Sequence, residues 1–185
     1  MQIYIYDKKN SYIKNSTLKS KVIKKIIGIN EEREIYKSKY GKPYVPNYPN
    51  IYFSISHSYD YWVMVVNDYP IGIDIEKKRD INSFDEIIQL LHKDEEEYLS
   101  IHRKDFFKVW CFKESYLKLL GVGLNIPLKS FSVVQEQKFK KSIGMFSLRC
   151  LYIVEGYEIV ICTKKEYDKN EIEVIDVNKF LKDKK

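Results

Sequence analysis

The chain has 185 residues, 44% of them hydrophobic, with 32 Lys and Arg against 26 Asp and Glu for a net charge of +6. That length supports one full core or two small halves sharing an interface, and no apolar run approaches the roughly 20 residues of a membrane helix, which excludes a spanning helix. Cys111, Cys150 and Cys162 are odd in number, widely spaced and without a CxxC pair, so they read as reduced thiols, not as a disulfide framework or zinc cluster.

The first six residues alternate like a strand and lack the basic-then-apolar order of a secretion signal, so the expected location is the cytoplasm. Residues 16–27 carry Leu18, Val22, Ile23, Ile26 and Ile27 at helical spacing, with Asn15 or Ser16 as N-cap and Gly28 as the stop. Three prolines within 40–50 predict an irregular loop. Residues 51–55 and 61–66 read as a hairpin joined by the polar connection Ser56-His57-Ser58-Tyr59-Asp60, and a further strand covers Ile71 to Glu76. Helical patterns follow at 84–99 and 105–120, the second closed by Gly121 and Gly123, then strands at 130–135, 145–154, 157–162 and 173–177. Helix plus antiparallel hairpin occurs twice, which predicts an α+β duplication with halves at 1–69 and 70–185 and a cleft between them.

Successive strand side chains point to opposite faces, so Ile71, Ile73 and Ile75 share one face while Asp74 and Glu76 share the other, roughly 6.5–7 Å apart. Two carboxylates so placed repel each other unless a cation lies between them, and an all-oxygen site suits magnesium; the other reading is a solvated polar face. On the 105–120 helix, Trp110, Glu114 and Lys118 fall four apart on one stripe, with Lys113 on the next line. An isolated helix would make Glu114 and Lys118 a surface pair worth roughly 0.3 kcal/mol. This helix is apolar around most of its circumference, so its charges need a partner such as a metal or a phosphate.

Ser56-His57-Ser58 does not form a serine nucleophile with its base, because strand neighbours point apart and no nucleophile elbow is present. The two readings left are a donor set for a phosphate or ribose and a turn histidine with no role. Gly41-Lys42-Pro43 lacks P-loop spacing and reads as a turn, whose lysine can meet an anion. The acidic run Lys93-Asp94-Glu95-Glu96-Glu97 reads as a solvated helix face, and the lysine-rich tail 179–185 as a solvated terminus.

Four segments, Tyr40-Gly41-Lys42-Pro43, Phe53-Ser54-Ile55-Ser56-His57-Ser58, Gly72-Ile73-Asp74-Ile75-Glu76 and Trp110-Cys111-Phe112-Lys113-Glu114-Ser115-Tyr116-Leu117-Lys118, occur in the order and approximate spacing of the Sfp-type 4′-phosphopantetheinyl transferases. The chain resembles that family over about residues 40–123. The resemblance implies the phosphopantetheinyl transferase fold, a pseudodimer of two similar α/β halves with a coenzyme A cleft between them. It also implies transfer of the 4′-phosphopantetheine arm of coenzyme A to a serine hydroxyl of an apo acyl, peptidyl or polyketide carrier, releasing adenosine 3′,5′-bisphosphate.

Position by position, the resemblance makes Asp74, Glu76 and Glu114 the ligands of magnesium, or of manganese, and makes Glu114 and Lys118 the catalytic pair. Ser56 and His57 match residues at the ribose phosphate, Lys42 and Pro43 the loop beside the adenine, and Trp110 and Lys113 the helix motif, with Lys113 and Lys118 counted at the cofactor. Lys24 is the expected partner of the 3′-phosphate. Ser54 departs from the family, which usually has asparagine there. The resemblance implies a monomer that binds neither nucleic acid nor membrane. The positive charge and 16 tyrosines leave two alternatives, a basic nucleic-acid-binding α+β module and a non-catalytic relative that binds coenzyme A or a carrier.

Overall fold

A computed structural model of the chain describes residues 1–9, 13–28, 35–80 and 84–183. The first part holds β1 (Gln2–Asp7), α1 (Asn15–Ile27), β2 (Tyr36–Lys37), β3 (Pro43–Tyr44), β4 (Tyr52–Ser58), β5 (Tyr61–Asn67) and β6 (Ile71–Lys77). Next come α2 (Asp85–Ile88), α3 (Lys93–Ile101) and α4 (Phe106–Leu120). The remainder is β7 (Val134–Gln135), β8 (Lys138–Phe139), β9 (Ser142–Ile143), β10 (Phe146–Cys150), β11 (Tyr157–Thr163), β12 (Glu173–Asp176) and α5 (Val177–Lys182).

Two four-stranded sheets result, ordered β12-β1-β5-β4 and β6-β11-β10-β9. Strand alternation sorts their side chains into three cores. Tyr4, Tyr6, Trp62 and Met64 turn one face of the first sheet toward Leu18, Val22 and Ile23 of α1 and Val177 of α5. Ile3, Val63 and Val65 on its other face meet Ile71, Ile73, Ile75, Ile159 and Ile161 of the second sheet. Val160, Cys162 and Leu148 on the far face of that sheet pack under Val109, Phe112 and Leu119 of α4. The architecture is mixed α/β, layered helix, sheet, sheet, helix, with mainly antiparallel pairing.

Three differences from the sequence expectations have local causes. The β4–β5 hairpin is longer than expected: Ser56, His57 and Ser58 continue β4, and the turn is only Tyr59-Asp60, with Tyr59 at φ 47°. The helix expected over 84–99 is two helices, because His92 starts a new one. Its Nδ1 accepts from the Asp94 N–H at 3.2 Å while the Glu95 carboxylate accepts from the His92 N–H at 3.0 Å, a reciprocal cap. Finally, β12 runs parallel to β1 and α5 packs on the first sheet, so the chain's last elements return to the sheet that β1 begins. The tail 179–185 read as solvated is not so at its start: residues through Lys182 belong to α5, and Phe180 and Leu181 pack against the first core, while Lys184 and Lys185 lie outside the described residues.

Candidate active site

Gly72 decides how α4 meets β6. A Cβ at this position would lie 1.9 Å from the Ser115 carbonyl oxygen and 2.5 Å from the Leu119 nitrogen. Only a residue without a side chain lets the helix lie across the even-numbered face of β6. Glu114 and Lys118 immediately precede those two contact residues, so the crossing delivers them to Asp74, two positions along the same strand face.

Lys118 Nζ donates to Asp74 Oδ1 at 2.6 Å and to Ser56 Oγ at 2.8 Å, and Ser56 Oγ donates to the same Asp74 oxygen at 2.7 Å. The lysine side chain keeps 27% exposure against 5% for the aspartate, so the pair sits at the floor of an opening, not inside the core. The other oxygen, Asp74 Oδ2, is buried and among the described residues has no partner within ordinary hydrogen-bond geometry. The buried Cys111 thiol feels this carboxylate: burial, and then the Asp74 charge, push its pKa up. Glu76 Oε2 accepts from Ser58 Oγ at 2.8 Å and from Arg79 Nη1 at 3.4 Å. Burial raises the Glu114 carboxyl above its ordinary range, the Asp74 charge adds to this, Lys118 opposes it, and Glu76 contributes further. Three carboxylates therefore feel one another around one lysine.

Among the described residues no group of three or more His, Cys, Asp or Glu side chains is arranged as a ready-made metal cluster. The donor set nevertheless fits magnesium, which holds its site with one or two carboxylates and completes its shell with water and substrate phosphate. The free face of Asp74 Oδ2 leaves a buried carboxylate oxygen available to such an ion, since an unmet buried charge is costly.

The other expected residues divide. Ser56 belongs to the carboxylate cluster; its hydroxyl is already engaged, so it does not face an open ribose site. His57 is exposed and follows Phe53 and Ile55 onto the α1 side of β4, the side that also carries Lys24 in the last turn of α1. Burial, then Lys8 and Lys118, lowers its pKa, with Glu76 and Asp74 opposing. Lys42 Nζ donates to the carbonyls of Leu119 at 2.8 Å and Ile71 at 3.2 Å, which fastens the 40–50 loop to the end of α4. Burial lowers its pKa to about 8. Pro43 and Tyr44 line a cavity of about 300 Å3 beside it, together with Phe53, Leu119 and Gly121.

Lys113 corrects the expectation that it reaches the cofactor. Its ammonium is fully buried, 2.7 Å from Glu95 Oε2, and donates to the Phe131 carbonyl at 2.7 Å. Glu95 is equally buried and not a solvated helix face, and it also accepts from the Val133 N–H at 2.8 Å. The signal for this pair was the charge on a helix apolar all round; the sequence did not show which acid of the run 94–97 would answer it. Ser58 and Arg79 were missed because Ser58 was assigned to a turn.

Residues 70–164 match the family model described as the 4′-phosphopantetheinyl transferase superfamily. The chain belongs to that superfamily. It is 32% identical over 157 residues to 4′-phosphopantetheinyl transferase Sfp of Bacillus subtilis (strain 168), a match covering 77% of this chain and 68% of the relative. It is 41% identical over 135 residues to a 4′-phosphopantetheinyl transferase of Bacillus subtilis, covering 67% and 60%. A third relative, 4′-phosphopantetheinyl transferase gsp of Aneurinibacillus migulanus, is 31% identical over 159 residues, covering 77% and 64%. The chain thus spans about two thirds of the length of these relatives. The nucleic-acid module and the non-catalytic relative find no support among them. The superfamily match begins at Pro70 and so includes β6 and α4, the two elements that build the carboxylate cluster.

Proposed function

We propose that this phosphopantetheinyl transferase moves the 4′-phosphopantetheine arm of coenzyme A to a serine hydroxyl of an apo carrier protein, using Asp74, Glu76 and Glu114 to hold magnesium and Lys118 to meet the reacting phosphate. The two sheets act as the halves of a pseudodimer, and coenzyme A lies where the edges of β4 and β6 come together. The observation that carries this reading is the unpartnered Asp74 Oδ2 buried beside Glu76, Glu114 and Lys118.

The carrier serine oxygen attacks the phosphorus bearing the pantetheine, the bridging P–O bond of the pyrophosphate breaks, and adenosine 3′,5′-bisphosphate leaves. A cation held by the three carboxylates supplies charge neutralisation on the pyrophosphate. Lys118 has a partly exposed ammonium that can turn from Asp74 toward a phosphate oxygen without occupying a coordination position. Glu114 takes the serine proton directly or through a water. Ser56 holds Asp74 and Lys118 at the correct separation. His57 and Lys24 lie on the α1 side and serve the ribose 3′-phosphate; Pro43 and the cavity beside it serve the adenine. Lys42 and Lys113 support the scaffold. The protein acts as a cytoplasmic monomer, since one chain supplies both edges of the cleft.

The test is to incubate the protein with coenzyme A, magnesium and several apo carrier domains and weigh the carriers. The expected result is a gain of one phosphopantetheine arm on the carrier serine; no gain across acyl, peptidyl and polyketide carriers would overturn the reading.

A further inference from the structure

The side chains of β4 that face the second sheet are a row of serines at alternate positions, Ser54, Ser56 and Ser58, all buried. β4 and β6 are edge strands of different sheets, and no backbone ladder joins them. The serines take its place. Ser54 Oγ accepts from the Ile73 N–H at 3.1 Å, Ser56 Oγ donates to Asp74, and Ser58 Oγ accepts from the Lys77 N–H at 3.1 Å while donating to Glu76 Oε2 at 2.8 Å.

A hydroxyl has one proton and two lone pairs. Once Ser58 accepts from Lys77, its lone proton can be directed at the carboxylate. The same arrangement recurs two residues earlier, where Ser56 accepts from Lys118 and donates to Asp74. Each carboxylate of the β6 pair thus has its own serine, and the serine's direction is set by a donor behind it. The Glu76 carboxylate stands at the end of several side-chain torsions, and without Ser58 the contact left to it among the described residues is the 3.4 Å approach of a partly exposed Arg79. Groups that orient metal-binding carboxylates contribute about 10–100-fold to metal affinity.

We propose that Ser58 is a positioning residue that holds Glu76 in the orientation required for cation binding. Resting on the reading of Asp74 and Glu76 as cation ligands, this adds to it the residue that sets Glu76's geometry.

The probe is Mn2+, titrated into the coenzyme A-loaded protein and followed by the electron paramagnetic resonance of the free ion. Ser58→Ala is expected to weaken Mn2+ binding by about 10–100-fold, and Ser58→Thr, which keeps the hydroxyl, to restore most of it. In a Glu76→Gln background Ser58→Ala should change the affinity less than about twofold, because a residue that acts through Glu76 has nothing left to position. Wild-type affinity in Ser58→Ala, or an undiminished effect in the Glu76→Gln background, would overturn the proposal. Should Ser58→Ala fail to fold, equal Mn2+ affinity for Ser58→Thr and Ser58→Gly would do the same. Asp74→Ala separates the two levels: if it binds Mn2+ as tightly as the wild type, the cation reading itself fails, whatever Ser58 does.

Discussion

Glu114 and Lys118 are one helical turn apart, and each sets what the other can do. Burial and the neighbouring carboxylates hold a proton on Glu114 to higher pH, and Lys118 is the group that opposes them. Removing the cation therefore raises the proton affinity of Glu114 further. Lys118→Met should lower transfer by about 100-fold and move the acid limb of the pH–rate profile to higher pH; initial rates measured across pH check both, and an unmoved limb would separate Glu114 from the reaction. Lys42 makes the opposite kind of prediction. Its folded pKa of about 8 lies below that of a free lysine, so between the two values the unfolded chain binds more protons. Stability rises with pH through that window. Urea unfolding should show the wild type gaining on Lys42→Met by on the order of 2 kcal/mol between about pH 7 and pH 10. That Asp74 and Glu76 share a strand face, and Glu114 and Lys118 a helix stripe, was legible in the sequence because strand and helix periods fix which side chains share a face. The depth of Lys113 and Lys42 was not, because a period says nothing of how deep a lysine lies.

The contact at Gly72 shows why β6 and α4 act as a unit. Alanine there would push a methyl group into the backbone of α4 at Ser115, and the helix would have to lift. Gly72→Ala is expected to cost about 3 kcal/mol and to lower transfer in the fraction that stays folded, as read from thermal unfolding and specific activity together. The Glu95–Lys113 pair pins α4 from its other side, to α3 and to the segment at Phe131 and Val133. Lys113→Met leaves a buried carboxylate without its counter-charge and should cost about 3–5 kcal/mol, while the double variant Glu95→Gln, Lys113→Met should cost less than the sum of its parts. Chemical denaturation of the four proteins provides the cycle. Elements through α4 were largely readable from periodicity, whereas α5, inside the lysine-rich tail, and the short strand that stands for the one expected over 130–135 were not. The break at His92 was not, since its cap uses a histidine in place of the usual Ser, Thr, Asp or Asn. The length of β4 was also hidden: Ser-His-Ser reads as turn chemistry until the partner strand that accepts its hydroxyls is known.

At the scale of the molecule, the cluster exists because two sheets meet along β4 and β6 and α4 closes over the junction. Element order did not reveal that β12 would return to pair with β1, because a four-residue strand carries no mark of its partner. The return ties both ends of the chain into the sheet whose edge strand faces Asp74. The superfamily match spans β6 and α4, the two elements between which the buried Asp74 lies. The most direct test of the account is carrier modification by Asp74→Ala, with folding checked by circular dichroism and thermal unfolding. The account predicts a folded protein whose transfer of the phosphopantetheine arm falls by at least about 100-fold at any magnesium concentration. Full transfer by the folded variant at the magnesium concentration that serves the wild type would contradict it.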